Sequence, residues 1–210
     1  MSVPRFSIVM PTCNHGRWIE IALRSILDQG VPDVEVIVMD SVSTDDTPRI
    51  LERYRDRITW HRQKDKGQAD AINQGLALAR GEVVAWLNSD DTYLPGAFSH
   101  VLTAFAEDPS LDFVYGDALE IDENGGILTP NLFTEDCTRE RFYFSHDYIC
   151  QPTLFLRRTA LARVGSLRAD LRWFLDYQWI ARFFAAGLRG RRLAHFLAAN
   201  RDHPHTKTNS

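Results

Sequence analysis

The chain has 210 residues, of which 44% are hydrophobic and 25% charged, with a formal net charge of −4. This composition is typical of one large globular domain, and it excludes a membrane-spanning protein, since no apolar run reaches the roughly 18 residues needed to cross a bilayer. An acidic chain without an aromatic and basic pattern also argues against nucleic-acid binding.

The first half of the chain alternates between short apolar runs and helical patterns. The run from Phe6 is ended by Pro11, and the second run stops at Asp40. Thr47 followed by Pro48 is typical of an N-cap and the first residue of a helix. The predicted elements are strands at 6–10, 34–39, 58–61 and 83–87, with helices at 17–28, 48–54 and 68–79 between them.

The second half continues the alternation less regularly. Helices are predicted at 95–106 and 176–186, and strands at 113–115, 152–156 and 192–198. The stretch from Asp122 to Asp136 is rich in Gly and Pro and is predicted to be a long, mobile loop. Strands that alternate with helices indicate right-handed crossovers, and hence a mostly parallel α/β sheet with helices on both faces.

Two adjacent carboxylates, Asp90 and Asp91, follow the buried strand that ends at Leu87. The carboxyl ends of strands in open α/β sheets are where ligands bind. Neighbouring carboxylates repel each other, and a divalent cation such as Mg²⁺ or Mn²⁺ relieves that repulsion. The alternative is that this segment is a solvated turn and helix cap.

Charge is divided unevenly along the chain. Residues 1–137 carry 11 Lys and Arg against 23 Asp and Glu, whereas residues 138–210 carry 13 against 5. The acidic part suits a cation and the basic part suits phosphate, although two solvated faces would look the same. Arg189, Arg191 and Arg192 form a cluster that either docks on anionic lipid or is a solvated basic loop.

Three scattered cysteines, Cys13, Cys137 and Cys150, predict reduced thiols rather than a disulfide framework or a zinc site. The chain also begins without a signal-peptide pattern. We therefore expect a cytoplasmic protein, placed at the inner face of the membrane if the arginine cluster binds lipid.

Polar motifs follow several of the predicted strands in a recognisable order. They are Pro11-Thr12-Cys13-Asn14, Asp40 to Thr47, Asp65 to Gly75, Asn88 to Asp91, Tyr115 to Asp117, Ile149 to Thr153, Leu175 to Trp179 and His203 to Thr208. Together they resemble the nucleotide-sugar glycosyltransferases of family 2, of the bacterial polysaccharide and O-antigen type. The resemblance implies a single GT-A domain over 1–210, with a nucleotide-binding half at 1–92 and an acceptor-binding half at 93–210.

The resemblance assigns the nucleotide to the first half. Asp40 would read the nucleobase by accepting a hydrogen bond, although an Asx turn is its alternative role. Pro11, Thr12 and Asn14 would line the same pocket, and Asp90 would contact the ribose. Cys13 stands where the family commonly has an aromatic residue.

The resemblance also implies a divalent cation, Mn²⁺ or Mg²⁺, held by Asp91 and by His203 as a further ligand. The cation would bridge the diphosphate and neutralise charge as the nucleotide leaves. Lys66 would approach the diphosphate or the nucleobase, and a solvated loop lysine is the alternative. The resemblance favours a UDP-sugar as the donor.

Asp176 matches the family's general base, which deprotonates the acceptor hydroxyl. Its alternative role is the N-cap of the predicted helix. Gln151, Trp173 and Tyr177 would shape the acceptor pocket, with core packing as the alternative for Trp173.

We therefore expect a metal-dependent inverting glycosyltransferase that moves one sugar to a saccharide or lipid-linked acceptor. Transfer of a single sugar is expected because the chain shows neither the membrane helices nor the Gln-x-x-Arg-Trp motif of processive synthases. The alternatives are a catalytically silent nucleotide-sugar-binding module and a sugar nucleotidyltransferase. The second of these needs a glycine-rich phosphate loop after the first strand, and none is present there.

Overall fold

The computed structural model describes residues 3–131, 138–144, 149–171, 173–204 and 206. Its first half follows the predicted alternation closely. The elements are β1 (Phe6–Thr12), α1 (Ile19–Leu27), β2 (Val34–Asp40), α2 (Thr47–Glu52), β3 (Thr59–Arg62), α3 (Gln68–Leu78) and β4 (Val83–Trp86).

The second half contains more elements than the sequence patterns predicted. They are β5 (Thr92–Tyr93), α4 (Ala97–Glu107), β6 (Phe113–Ile121), β7 (Ile127–Asn131), α5 (Arg139–Phe144), a 3₁₀ turn (Gln151–Thr153), β8 (Phe155–Arg157), α6 (Arg158–Val164), α7 (Leu175–Ala185) and β9 (Gly190–Arg201). In the part of the chain that is described, no helix combines the length and apolarity that crossing a bilayer requires.

One sheet contains strands from both halves of the chain. Its order is β3-β2-β1-β4-β8-β6-β9-β5, and β7 pairs with β6 off this path. The strands β3, β2, β1 and β4 are parallel to one another, as are β6 and β9, whereas β8 is antiparallel to both β4 and β6. Because β8 reverses direction between them, β4 and β6 point the same way and end at the same edge of the sheet.

Helices cover both faces of the sheet, as predicted. Alternate residues of β1 divide between two hydrophobic clusters: Ile8 and Met10 pack on the side of α1 and α4, and Val9 packs on the side of α3 and α7. The central parallel strands β1 and β4, and most of β2, are therefore buried on both faces, which explains their continuous apolar sequences.

Helix α7 runs antiparallel to β4 and β6. Trp179, in its second turn, lies 5.3 Å from Trp86 at the end of β4, measured between ring centroids. Phe183, near its C-terminus, lies 5.2 Å from Phe113 at the start of β6. The N-terminus of α7, with Asp176, is therefore at the edge where the parallel strands have their carboxyl ends.

Three predictions on local structure are wrong. The stretch from Asp122 is not a long loop, because the Asp122 carboxylate accepts hydrogen bonds from the amides of Asn124 and Gly126 and closes a hairpin between β6 and β7. Residues 132–136 of that stretch, and Cys137, lie outside the described residues. Thr47 is the first residue of α2 rather than its N-cap, which is Asp46. The expected strand at 152–156 is a 3₁₀ turn followed by β8.

Gly75 lets α3 pack directly on β1 and β2. A Cβ atom at this position would lie 2.4 Å from Cγ1 of Val9 and 3.3 Å from Cγ of Met39. We predict that Gly75→Ala destabilises the protein by about 1–3 kcal/mol through overpacking. Helix propensity alone would instead favour Ala by about 1 kcal/mol. The sign of the change in unfolding free energy, measured with urea, decides between the two effects.

Candidate active site

A cleft of about 550 Å³ opens at the carboxyl edge of the parallel strands, within the volume range typical of small-molecule sites. It lies over the ends of β1, β2 and β4 and the N-terminus of α3, and β6 and the end of β9 complete it. Its lining residues are Pro11, Thr12, Cys13, His15, Ser41, Asp65, Gly67, Gln68, Ala71, Asn88, Asp90, Asp91, Glu120, Asn200, Arg201, Asp202 and Thr206.

Asp90 and Asp91 both line the cleft, but they have different surroundings. Asp91 is only 2% exposed, and its carboxylate accepts hydrogen bonds from the backbone amide of Arg201 (2.9 Å) and the side-chain amide of Asn88 (3.2 Å). Asp90 is half-buried, and its Oδ2 lies 3.1 Å from Nε2 of His203. The strand β4 therefore delivers one buried and one more accessible carboxylate to the same cleft.

Burial raises the pKa of Asp91 well above its ordinary value, and the negative charge of Asp90 adds to the effect. The Arg201 guanidinium does not bind either carboxylate; it donates to the backbone carbonyl oxygens of Asp90 (2.8 Å) and Asp122 (2.9 Å). Among the side chains that the structure describes, no cationic group bonds the Asp91 carboxylate directly. A divalent metal fits this donor set, because hard cations prefer carboxylate oxygen.

Within the described ranges, no three His, Cys, Asp or Glu side chains are grouped so that they could hold a metal by themselves. A cation at Asp91 would therefore take part of its coordination from elsewhere. This is the usual arrangement for Mg²⁺, which protein sites bind through one or two carboxylates together with substrate phosphates and water.

His15 is a cleft residue that the sequence analysis did not single out. Its Nδ1 lies 2.8 Å from Oγ of Ser89, and the Ser89 hydroxyl donates to Oγ1 of Thr12 at 2.9 Å. Burial lowers the pKa of His15 below its ordinary value, which favours the neutral ring. Its position directly after the end of β1 was the available signal, because residues that follow parallel strands line such clefts.

The predicted nucleotide-binding residues occupy three kinds of position. Pro11 and Thr12 lie on the cleft wall. Asp40 lies behind it: it is fully buried, with Oδ1 accepting from the Ser43 amide and Oδ2 3.5 Å from Nε of Arg62.

Asn14 and Lys66 lie beside the cleft rather than on its wall. Asn14 supports the loop after β2, because its side-chain oxygen accepts from the Thr44 amide at 2.7 Å. The Lys66 side chain is exposed between two cleft residues, Asp65 and Gly67.

Asp176 is the second residue of α7 and is partly buried. The N-cap is Phe174, so the structure does not support the alternative of Asp176 as the cap. Asp176 does not line the cleft, although α7 begins at the same edge of the sheet. Asn73 of α3 bonds both backbone groups of Leu167, at 2.8 Å each, and so ties the segment before α7 to the helix that walls the cleft.

The predicted acceptor residues also lie at this edge or on α7. The Gln151 side chain is buried and donates to the Trp86 carbonyl at 2.9 Å. Tyr177 stacks on Phe142 with ring centroids 4.7 Å apart, and Trp173 is 39% exposed just before α7. Gln151 therefore fixes backbone at the end of β4, whereas Trp173 is accessible.

The basic cluster at the start of β9, far from the cleft along that strand, has acidic partners. Arg189 and Arg191 both pair with Asp108, and Arg192 pairs with Asp117. These pairs compensate much of the positive charge that lipid docking would use. Membrane contact through the cluster therefore stays a hypothesis from the sequence, and salt-sensitive sedimentation with anionic liposomes would test it.

The model of the protein family described as glycosyl transferase family 2 matches residues 7–165 of the chain. This match covers more than half of the sequence and includes the cleft residues of the first half. The chain belongs to glycosyl transferase family 2. It is thus a glycosyltransferase by family, and the resemblance inferred from its motifs is confirmed.

Two relatives illustrate the range of the family. A PGL/p-HBAD biosynthesis glycosyltransferase of Mycobacterium bovis is 29% identical over 208 residues, which cover 95% of this chain and 77% of the relative. Chondroitin synthase of Escherichia coli is 37% identical over 142 residues, or 66% of this chain and 21% of that protein.

Solved structures confirm the GT-A fold. S. aureus TarS in complex with UDP-GlcNAc superposes with a TM-score of 0.79 at 23% identity, covering 98% of this chain. The mannosyltransferase PcManGT from Pyrobaculum calidifontis, in complex with GDP-Man and Mn²⁺, gives 0.73 at 20% identity over 99% of this chain. The chain spans about 61% and 59% of those two solved chains.

The raised pKa of Asp91 predicts how stability depends on pH without metal. Folding favours the protonated form of Asp91. The folding stability that this form contributes is fully present below about pH 4, the ordinary pKa of Asp, and is lost as the pH rises through the pKa of Asp91 in the folded state. We predict that Asp91→Asn is more stable than the wild type at neutral pH in chelator, and that this advantage shrinks on acidification. Urea unfolding at several pH values measures it.

The exposed, ion-paired Asp46 provides the control. Asp46→Asn should give no such advantage at neutral pH. An Asp91→Asn protein that is less stable than the wild type at neutral pH would contradict the inference that burial destabilises the ionised Asp91 carboxylate.

Proposed function

We propose that the chain is a metal-dependent inverting glycosyltransferase that transfers one sugar from a nucleotide-diphosphate sugar to a hydroxyl of a saccharide or lipid-linked saccharide. One observation carries the proposal: in a family 2 chain, the paired carboxylates of the cleft and Asp176 on α7 lie at the same edge of one sheet. A displacement reaction needs its leaving group and its base at one place.

The donor nucleotide is proposed to occupy the cleft. Its volume suits a nucleoside diphosphate, and Pro11 and Thr12 lie on its wall. Asp90 would accept from the ribose, with His203 holding the carboxylate in place. TarS with UDP-GlcNAc and PcManGT with GDP-Man are nucleotide-sugar complexes of the same fold, and we favour a UDP-sugar here.

Asp40 is proposed to read the nucleobase from behind this wall. Within the described part of the chain its buried Oδ2 has no hydrogen-bond partner, although Arg62 lies near it. A base N–H that reached Oδ2 would satisfy this acceptor, and leaving such a buried group unpaired costs about 1–3 kcal/mol. Asn14 would act by holding the loop after β2, and the exposed Lys66 would approach the diphosphate.

Asp91 is the proposed cation ligand. His203 would become a further ligand only by exchanging the hydrogen bond from its Nε2 to Asp90 for the cation. A bound divalent cation would act as a Lewis acid that stabilises negative charge on the leaving diphosphate. Neighbouring groups fix both acids in place. The Arg201 amide and the Asn88 side chain hold the Asp91 carboxylate, and the Arg201 guanidinium holds the backbone of Asp90.

Asp176 is the proposed general base. It would accept the proton of the acceptor hydroxyl, whose oxygen then bonds the anomeric carbon as the bond to the nucleotide breaks. Attack from the face opposite the leaving group inverts the anomeric configuration. The exposed Trp173 and the neighbouring Tyr177 would contact the acceptor, and Gln151 would support this wall.

The acceptor is proposed to be a saccharide or a lipid-linked saccharide. The names of two relatives, a PGL/p-HBAD biosynthesis glycosyltransferase and chondroitin synthase, support this proposal. The proposed location is the cytoplasm. A silent nucleotide-sugar-binding module remains the alternative, and the behaviour of Asp176 separates it from an enzyme.

Donor binding tests the first part of the proposal. With Mn²⁺ present, we predict that one of UDP, GDP or dTDP raises the melting temperature, since a ligand at ~100 times its Kd stabilises by about 2.7 kcal/mol. Asp91→Asn should lose the metal-dependent part of this shift. No stabilisation by any of the three nucleotides with Mn²⁺ would count against the proposal.

Asp176 tests the chemistry separately from binding. We predict that Asp176→Asn keeps the thermal shift with donor and Mn²⁺ but loses transfer by at least about 100-fold, the lower range for a general base. Nucleotide release from the donor, in the presence of saccharide acceptors, is the assay. Asp170→Asn, an exposed neighbour paired with Arg168, is the control and should keep transfer. Unchanged transfer in Asp176→Asn would reject Asp176 as the base.

A further inference from the structure

Trp18 occupies an unusual place for a large aromatic residue. It stands just before α1, is only 8% exposed, and takes no part in either of the two main hydrophobic clusters. Its indole Nε1 donates to the carbonyl oxygen of Glu123 in the β6–β7 hairpin at 3.0 Å. Its ring face lies against His203, with centroids 4.2 Å apart and planes 30° from parallel.

His203 is therefore held in two directions. At one edge, its Nε2 bonds Oδ2 of Asp90 at 3.1 Å, and its face packs on Trp18. The hydrogen bond to Asp90 fixes Nε2 of the imidazole. The stacked indole restricts tilting of the ring about that atom, so the Asp90 carboxylate receives this hydrogen bond from one defined direction.

The indole is itself fixed from the hairpin side. The Arg17 guanidinium lies 5.2 Å from its ring centroid, and Arg17 also pairs with the Glu123 carboxylate at 2.8 Å. Trp18 thus touches three separate parts of the chain at once: the start of α1, the hairpin and the segment after β9.

We propose that Trp18 is a positioning residue of the donor site, which holds His203 on Asp90 and thereby sets the geometry of the Asp90 carboxylate. It touches neither the proposed donor nor the cation, because it does not line the cleft. The inference rests on the proposed function only in that Asp90 serves donor binding. The contact between Trp18 and His203 does not depend on it.

Three variants separate positioning from general stability. Trp18→Leu removes the aromatic face, whereas Trp18→Phe keeps a ring and loses only the hydrogen bond to Glu123. Trp60→Leu makes the same change in a partly buried tryptophan of β3 that packs on the core and does not line the cleft.

Calorimetry with Mn²⁺ and the nucleoside diphosphate that the wild type binds gives the first readout. We expect Trp18→Leu to weaken binding about tenfold, the scale on which outer partners of a ligand site act. Trp18→Phe should stay near the wild type, as should Trp60→Leu. Equal losses in Trp18→Leu and Trp60→Leu, or no loss in Trp18→Leu, would overturn the proposal.

A double-mutant cycle with His203→Ala tests whether Trp18 acts through His203. If it does, adding Trp18→Leu to His203→Ala weakens binding no further. Two losses that add in full would mean that Trp18 affects binding by another route, which would also overturn the proposal.

NMR of the histidine ring protons tests the contact between Trp18 and His203 without any nucleotide. The His203 signals are assigned from the His203→Gln variant. The stacked indole should shift the His203 ring protons upfield, and Trp18→Leu should abolish this shift while Trp18→Phe retains it. An unchanged His203 signal in Trp18→Leu would overturn the proposal. If the wild type bound no nucleoside diphosphate, the proposed function would fail, and this readout would still decide the role of Trp18.

Discussion

The burial of the Asp91 carboxylate at the end of β4 is the constraint around which the site is arranged. Burial of an ionised carboxyl group lowers folding stability unless the group is hydrogen-bonded and paired with a positive charge. Here two hydrogen bonds, from Asn88 and from the Arg201 amide, satisfy its oxygens, and among the described residues no cationic side chain bonds it directly. The cation proposed for this site would stabilise the ionised carboxylate, whose burial otherwise lowers folding stability.

The second half of the chain supplies the parts that surround this carboxylate. β9 runs beside β6 to the same edge as β4, and its last residue, Arg201, reaches Asp90, Asp91 and the hairpin backbone. His203, two residues beyond β9, bonds the Asp90 carboxylate through its Nε2. These contacts join residues 79 to 113 positions apart, and each is made at or just beyond the end of a strand, where side chains are not committed to the core.

The first half of the fold was predictable because its signals are local. Each parallel strand is an apolar run that ends at a polar residue, and each helix shows a regular spacing of buried positions. Asp40, Asp90 and Asp91 could be found for the same reason, since each follows such a run. The hairpin after Asp122 and the true start of α2 were missed, because side-chain hydrogen bonds to the backbone decided them rather than hydrophobic pattern.

The sequence alone determined the family, the α/β alternation and the presence of paired acids at a strand end, because these depend on residues adjacent in the chain. Only the tertiary structure decided that Asp91 is more deeply buried than Asp90, that Asp40 lies behind the cleft wall and Asn14 beside the cleft, and that Trp18 and His15 belong to its surroundings. Exposure and contact direction depend on which distant segments pack together. No short-range pattern records that packing, because a residue's neighbours in space are set by the whole sheet order.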